Sequence, residues 1–489
     1  MICTTIISKN TEEALKAMKK ASKLTDLIEL RIDYIKDINE KNLKKLLNNK
    51  IKPIIITNRK KSEGGKFEGN EKHRISLLEE AIKLKVDYVD IEYSTNKKLL
   101  KEIIGKKDKT KIIVSYHNFK RTPASLFGIF KKIKKLDPDI VKLVTFANSI
   151  NENFEIFEFL TRAKKENEKL IAFCMGQFGQ ISRILCLKYG SFLTYCSLEK
   201  EKRAASGQLT LKELLNDYNI KKINKNTNII GLIGNPVEHS FSHSMHNASF
   251  KKSKLNNIYV KFKADNLKVF MEKFRKHGFN GAGVTIPYKI EVMKYLDKID
   301  KTAKKIRAVN TIVNKNGKLV GYNTDYYGAI MAIKNKTKIK NKKIAILGAG
   351  GSARALVYGL KEEKGDITIL NRTAEKAKKL AKEFNCNYEE LNYFKNIDMD
   401  ILVNATPVGM HPNTNQSLIP KKFLKNIVVF DVVFNPYKTK LIKDAEANNC
   451  KIIYGIEMLL YQGIKQFKLW TNKKISINIM RNSIIGKLK

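Results

Sequence analysis

Residues 1–220 repeat one unit eight times: a short apolar run, then a polar stretch long enough for an amphipathic helix. The runs are ICTTII (2–7), LIELRID (27–33), KPIIITNR (52–59), YVDIEY (88–93), KIIVSYH (111–117), IVKLVTFA (140–147), LIAFCMG (170–176) and FLTYCS (192–197). Between them lie Lys/Glu/Leu-rich segments such as EKHRISLLEEAIKLK (71–85). A short apolar run followed by a helix-length segment reads as strand then helix. Eight such units over this length predict a (β/α)8 barrel. The alternative is an open doubly wound sheet, which needs a reversal of strand order.

A chain of 489 residues is too long for one ordinary core. NIKKINKNTN (219–228) is polar and reads as a linker, and IIGLIGNPVEHS then opens a new region. The overall expectation is α/β. A (β/α)8 barrel over 1–222 precedes two further α/β domains, one over 228–328 and one over 329–455, the latter with the strand, Gly-rich turn and helix start of a Rossmann domain at KKIAILGAGGSARA (342–355). A C-terminal helical segment over 456–489 packs back on the 228–328 domain.

Formal charge is +46, which raises nucleic-acid binding as a rival reading. Yet 82 of the 94 basic residues are lysines, spread evenly among many Asn and Ile. That pattern reads as a coding bias on solvated faces, and no basic motif is interleaved with aromatics. Only twelve residues are arginine, so an arginine marks a place where a guanidinium fork is needed. The six cysteines are scattered without a CxxC, which predicts buried free thiols and no metal site. No apolar run approaches the roughly 20 residues that span a bilayer. MICTTIISKN reads as a first strand, not a basic leader, so the expected location is cytoplasmic.

In such a barrel, chemistry sits at the C-terminal ends of the strands. Those ends carry Glu29, Arg31, Arg59, Glu63, Glu92, His117, Lys142 and Met175, with Arg183 after the seventh strand. Three of the twelve arginines thus fall at one mouth, which predicts a cationic site for a carboxylate-bearing substrate. Lys142 lies in an otherwise apolar run. Apolar walls and neighbouring guanidinium groups disfavour its charged form, and a neutral amine can attack a ketone to form a Schiff base. His117, one strand earlier, can move protons, and Glu63 can orient its imidazole. The bland alternatives are a lysine reaching out of the strand end and a hydrogen-bonded core histidine.

The stretches ELRID (29–33), TNRKKSEGG (57–65), VSYHNFKRTP (114–123), VKLVT (141–145), MGQFGQISR (175–183) and GQLT (207–210) resemble type I 3-dehydroquinate dehydratases. The resemblance implies that Lys142 forms the imine, His117 is general acid/base, and Glu63 supports it. It further implies that Arg183 clamps the carboxylate, while Glu29, Arg31, Arg59 and Gln208 hold hydroxyls. One departure is Ala204, where the family usually has a hydroxyl residue.

In the second region, KKIAILGAGGSARA (342–355) is a strand ending in a Gly-rich turn, with Gly348, Ala349, Gly350, Gly351, Ser352 and Ala353 at its bend. The glycines permit a tight turn and the approach of a pyrophosphate to a helix start. The next strand ends in Asn371, Arg372 and Thr373 in place of a carboxylate, which suits a 2′-phosphate and predicts NADP(H). Upstream, NPVEHSFSHSMHN (235–247), GAGVTIPYK (281–289), AVNTI (308–312) and GYNTDYYG (321–328) offer short polar side chains for a polyol acid. Lys289 and Asp325 suit a proton-transfer pair. With NATPVGM (404–410), DVVFNP (431–436) and GIEMLLYQG (455–463), these stretches resemble shikimate dehydrogenases. That resemblance implies Lys289 and Asp325 as the catalytic pair, with Ser240, Ser242, Thr285, Asn310 and Gln462 on the substrate. It adds Thr406 and Gly455 to the cofactor site. His243, Gly283 and Phe434 depart from the family pattern.

Together the halves resemble bifunctional dehydratase–dehydrogenases of aromatic amino-acid biosynthesis. The implied partners are small molecules, 3-dehydroquinate and 3-dehydroshikimate or shikimate, without nucleic acid or membrane; a homodimer stays open. The rivals are a quinate-using catabolic enzyme of the same folds and a basic nucleic-acid-binding protein.

Overall fold

The computed structural model describes residues 1–488, and these divide into two compact units, Met1–Thr227 and Asn228 onward. The first unit carries strands β1 (Ile2–Ile6), β2 (Leu27–Arg31), β3 (Ile54–Thr57), β4 (Tyr88–Glu92), β5 (Lys111–His117), β6 (Ile140–Phe146), β7 (Leu170–Met175) and β8 (Thr194–Ser197). They form one parallel sheet in the order β7-β6-β5-β4-β3-β2-β1-β8. This is a nearly closed barrel; among the described residues no ladder joins β7 to β8. Helices α1 (Thr11–Ser22), α2 (Glu40–Asn48), α3 (Glu71–Lys83), α4 (Lys97–Gly105), α5 (Leu126–Lys134), α6 (Glu152–Lys165), α7 (Gln180–Tyr189) and α8 (Leu211–Asn216) follow the strands in turn. Asparagine starts several of them: Asn10, Asn39, Asn70 and Asn96 each accept from a backbone N–H of the first turn. The strands are buried on both faces, which is why their sequence reads as continuous apolar runs.

The second unit holds two six-stranded sheets. The first contains β9 (Asn228–Gly234), β10 (Asn257–Lys263), β11 (Gly281–Val284), β12 (Lys298–Ile299), β13 (Thr311–Lys315) and β14 (Lys318–Tyr322), with α9 (Ser242–Lys252), α10 (Leu267–Lys276) and α11 (Lys301–Ile306). Its order is β10-β9-β11-β13-β14-β12, with β13 antiparallel to both neighbours. After α12 (Asp325–Lys334) come β15 (Lys343–Leu347), α13 (Gly351–Glu362), β16 (Asp366–Asn371), α14 (Ala374–Phe384), β17 (Asn387–Glu390), β18 (Ile401–Asn404), β19 (Val428–Asp431), α15 (Lys440–Glu446) and β20 (Lys451–Ile453). This second sheet is wholly parallel in the order β17-β16-β15-β18-β19-β20. The strand order reverses between β15 and β18, and that crevice is where doubly wound sheets bind ligands.

The chain then forms α16 (Gly455–Thr471) and α17 (Ile477–Ile484), both packed on α9. The division expected at 328/329 falls inside α12, a continuous helix packed on both α13 and α16. It was hidden because DYYGAIMAIK is apolar on almost all sides, as a helix buried between layers must be. The division expected at 455/456 likewise falls at the first residues of α16. Among the described residues, no helix is long and apolar enough to cross a membrane.

Candidate active sites

At the barrel mouth, Lys142 on β6 donates to Asp90 Oδ2 at 2.8 Å and lies 3.6 Å from Glu29 Oε1. Its nitrogen is 4.3 Å from the centroid of the Tyr195 ring. This corrects the expected surroundings of apolar walls and guanidinium groups: the lysine is one half of a buried ion pair. Asp90 also accepts from Arg59 Nη2 at 2.7 Å and Ser115 Oγ at 2.7 Å. Burial opposes its ionisation, but Arg59 and Lys142 hold the carboxyl well below the ordinary range. Asp90 and Ser115 were missed by sequence reasoning. The available signal was period two in YVDIEY, which puts Asp90 and Glu92 on the same face of β4.

His117 Nδ1 is 3.0 Å from Glu63 Oε2, the pairing expected from their chemistry. Burial, with the Arg59 guanidinium nearby, pushes His117 down to about 4. The imidazole is therefore neutral near pH 7, and its Nδ1–H donates to Glu63, leaving Nε2 as a base. Burial alone would raise Glu63, but its contacts with His117 and Ser94 and the nearby Arg59 guanidinium together outweigh it and hold the carboxyl below its ordinary value. Ser94 fixes the other Glu63 oxygen.

The expected cationic mouth needs correction, because two of its three guanidinium groups are already paired. Arg31 is taken up by Asp33 through two bonds of 2.8 and 2.7 Å, and Arg59 by Asp90. Among the described residues only Arg183 of the three has no carboxylate partner; its Nε is buried without a hydrogen bond. It stacks over Phe173, 4.5 Å from the ring centroid, and burial lowers it to about 10, still charged at neutral pH. A buried cation without a counter-ion is costly unless an anion arrives. Glu29 accepts from Thr5 and Thr57, and Gln208 accepts from the Ala204 N–H at 2.8 Å. Met175 closes β7 as a buried apolar wall.

In the second unit a cavity of about 300 Å³ is lined by Ser240, Lys289, Asn310, Asp325, Thr406 and Gln462 among others. Lys289 Nζ donates to Asp325 Oδ2 at 2.7 Å and Asn310 Nδ2 to Asp325 Oδ1 at 2.7 Å. Ser240 and Ser242 hydroxyls lie 3.1 Å apart on the cavity wall, and Thr285 joins them there. Of the departures, Phe434 lines the cavity with no hydroxyl, and a Cβ on Gly283 would lie 2.7 Å from the Tyr259 hydroxyl. His243 is buried on α9. Gln466 was missed; it lies one turn after Gln462 on α16, lines the same cavity, and donates to the Asn310 carbonyl at 3.2 Å.

The Gly-rich turn joins β15 to α13 and fits a dinucleotide. Gly348 has φ +107°, and a Cβ there would come within 2.9 Å of Thr406 Cγ2 on the adjoining loop. Gly350 faces open space, and no side chain caps α13, so the first N–H groups from Gly351 and Ser352 can take an anion. Ala349 is partly buried against the core, while Ala353 is fully buried and supports the turn from beneath. Ser352 Oγ is 3.3 Å from Lys289 Nζ, which ties the turn to the Lys289–Asp325 pair. At the end of β16, Asn371 donates to the Thr373 carbonyl, whereas Arg372 is exposed and makes no hydrogen bond or ion pair among the described residues. Gly455 lines the cavity where α16 begins.

Four family models match successive stretches of the chain: type I 3-dehydroquinase over 2–225, shikimate dehydrogenase substrate binding domain over 232–312, shikimate/quinate 5-dehydrogenase over 331–434, and shikimate 5′-dehydrogenase C-terminal domain over 455–485. The bifunctional 3-dehydroquinate dehydratase/shikimate dehydrogenase of Arabidopsis thaliana, a chloroplastic protein, is 36% identical over 496 residues, covering 96% of this chain and 82% of that one. The NADP(+) shikimate dehydrogenase of Methanocaldococcus jannaschii is 48% identical over 280 residues, covering 54% of this chain and 99% of that one. A crystal structure of shikimate dehydrogenase in complex with NADP+ superposes with a TM-score of 0.52 at 46% identity, covering 54% of this chain and 97% of that one. With a barrel that seats Lys142 beside His117 and a Rossmann crevice beside Lys289 and Asp325, the chain belongs to the bifunctional 3-dehydroquinate dehydratase/shikimate dehydrogenase family.

Proposed function

We propose that the barrel dehydrates 3-dehydroquinate to 3-dehydroshikimate through an imine on Lys142, and that the second unit reduces this product to shikimate with NADPH. The observation that carries the first reaction is a buried lysine on β6 and a neutral, Glu63-held imidazole at the end of the adjacent β5. Arg183 meets the substrate carboxylate as the counter-ion it lacks. Glu29, Arg31, Arg59 and Gln208 border the hydroxyls. Once the ketone is an imine, the adjacent C–H is acidic, because its electron pair can flow to nitrogen. His117 Nε2 removes that proton. The resulting enamine expels the β-hydroxyl, and His117 returns its proton to make water. A second water then releases the product and restores Lys142.

In the second unit, NADPH supplies the hydride that reduces the ketone. Gly348, Ala349, Gly350, Gly351, Ser352 and Ala353 form its phosphate turn, Asn371, Arg372 and Thr373 meet the 2′-phosphate, and Thr406 and Gly455 flank it. Ser240, Ser242, Thr285, Asn310 and Gln462 hold the polyol acid. Lys289 Nζ gives the developing alkoxide its proton, with Asp325 fixing that nitrogen. Asn310 donates to the other Asp325 oxygen, which keeps the carboxylate aimed at the lysine.

The biosynthetic direction, a cytoplasmic location and any homodimer belong to the same proposal. Relative kcat/KM on quinate and shikimate, cell fractionation and light scattering test them. Residues 1–222 expressed alone should dehydrate, and residues 226–489 alone should reduce. If each fragment folds yet either is inactive, the assignment of one reaction per unit is wrong.

A further inference from the structure

The nitrogen of Lys142 sits in a cage built for positive charge. Asp90 Oδ2 is 2.8 Å away, Glu29 Oε1 3.6 Å, and the face of Tyr195 lies 4.3 Å off. Asp90 commits its other oxygen to Arg59 and Ser115, each at 2.7 Å, so Oδ2 faces the lysine alone. The two side chains are only 6% and 0% exposed, so water cannot replace either partner. Around the barrel, the titratable groups facing this nitrogen are Cys3 on β1, Glu29 on β2, Arg59 after β3, Asp90 on β4, His117 on β5 and Tyr195 on β8. Burial keeps Cys3 and Tyr195 in their neutral forms, so the carboxylates Asp90 and Glu29 are the anions of the set.

We propose that Asp90 makes imine formation on Lys142 neutral in protons, by pairing equally with the resting ammonium and with the iminium that replaces it. The proposal rests on the Schiff-base reading above. The balance is ammonium plus ketone giving iminium plus water. The nitrogen–carbon bond forms and the carbon–oxygen bond breaks. Two of the three ammonium protons leave with the ketone oxygen as water, and one positive charge stays on nitrogen throughout. Nothing is exchanged with solvent, so the amount of iminium does not depend on pH while Asp90 is ionised. Without the carboxylate, the Arg59 guanidinium is offset only by the more distant Glu29, which shifts the resting nitrogen towards the neutral amine. Iminium formation then has to take up one proton from solvent and weakens by about tenfold per pH unit.

The test uses the full chain with 3-dehydroshikimate and no NADPH, trapped with cyanoborohydride at several pH values from about 6 to about 9. The reduced adduct on the Lys142 peptide is measured by mass spectrometry. Wild type should give a level profile, and Asp90→Asn a profile that falls by up to about tenfold per pH unit. A level Asp90→Asn profile at the wild-type amount overturns the proposal. A wild-type adduct on another residue overturns the Schiff-base reading instead. A near-UV circular dichroism spectrum and a barrel unfolding transition like those of wild type report that Asp90→Asn is folded; reduction by the second unit would not. Should Asp90→Asn not fold, proton exchange is followed with an indicator dye as wild type binds 3-dehydroshikimate. No net uptake supports the proposal, and about one proton taken up per imine overturns it.

Discussion

The barrel mouth and the dehydrogenase cleft handle charge in opposite ways. In the barrel, Lys142, Asp90 and Arg59 are joined before any substrate arrives, all out of water, and Glu92 ties Arg74 to the same network at 2.7 Å. Arg183 alone of the three mouth arginines stands without a counter-ion among the described residues. In the cleft the described residues show one pair, Lys289 with Asp325, exposed 14% and 8%. The groups that would meet a cofactor, the uncapped start of α13 and Arg372, are left open. A reaction that binds substrate covalently to the protein needs the cationic nitrogen held by the protein itself. A reaction that borrows a polyanionic cofactor needs vacant donors. Pre-paired buried charges add little net stability, but losing one partner is costly, so the barrel should tolerate substitution less well than the cleft.

The largest expected effect breaks the barrel alone. Lys142→Ala should lower dehydration by at least roughly 10⁴-fold, as loss of a covalent nucleophile does elsewhere. Reduction of 3-dehydroshikimate by the same variant should be unchanged. Undiminished dehydration would remove Lys142 from the mechanism. The mirror change, Lys289→Ala, should cost reduction about 10²- to 10⁴-fold, the range for a lost proton donor, and spare dehydration. Steady-state kinetics with each ketone measure both.

Arg372→Ala sharpens the contrast between filled and vacant charge. A charge-assisted hydrogen bond contributes roughly 1.5–3 kcal/mol, so kcat/KM for NADPH should fall about 10- to 150-fold. NADH should barely respond. Equal losses for both cofactors would show that Arg372 does not read the 2′-phosphate.

The smallest effect is an expected constancy. His117 is depressed from its ordinary value of roughly 6.5 to about 4, so Nε2 stays free as a base down to about that pH. Dehydration should keep its His117-dependent rate from neutrality to about pH 5 and lose it near 4. An acid limb close to 6.5 would mean that burial does not hold the imidazole neutral. The sign for stability follows: the unfolded chain binds the proton first. This contribution is therefore complete above about 6.5 and lost as pH falls towards 4. His246, held by burial down to about 3, gives the second unit the same sensitivity.

Much of this was legible in the chain. All eight barrel strands could be read, because strands buried on both faces leave unbroken apolar runs. The pairing of Glu63 with His117 could be inferred from chemistry, although 54 residues separate them. Partners set by the closing of the sheet could not. Asp90 meets Lys142 across β5, and a carboxylate within an apolar run gives no hint of which lysine it will face. Arg31 illustrates the converse: Asp33, two residues on, takes up its guanidinium, a local bond that strand-end position alone did not reveal. The continuity of α12 across the expected boundary at 328 was equally hidden, since its burial comes from α13 and α16.

The central claim is that one chain carries two consecutive reactions on separate sets of residues. Its most direct measurement supplies purified chain with 3-dehydroquinate and NADPH and follows NADPH oxidation, in wild type, Lys142→Ala and Lys289→Ala. Wild type should oxidise NADPH. Lys142→Ala should not, until 3-dehydroshikimate is added. Lys289→Ala should accumulate 3-dehydroshikimate with little NADPH consumed. NADPH oxidation from 3-dehydroquinate by Lys142→Ala, or failure of Lys142→Ala to reduce added 3-dehydroshikimate while folded, would contradict the account.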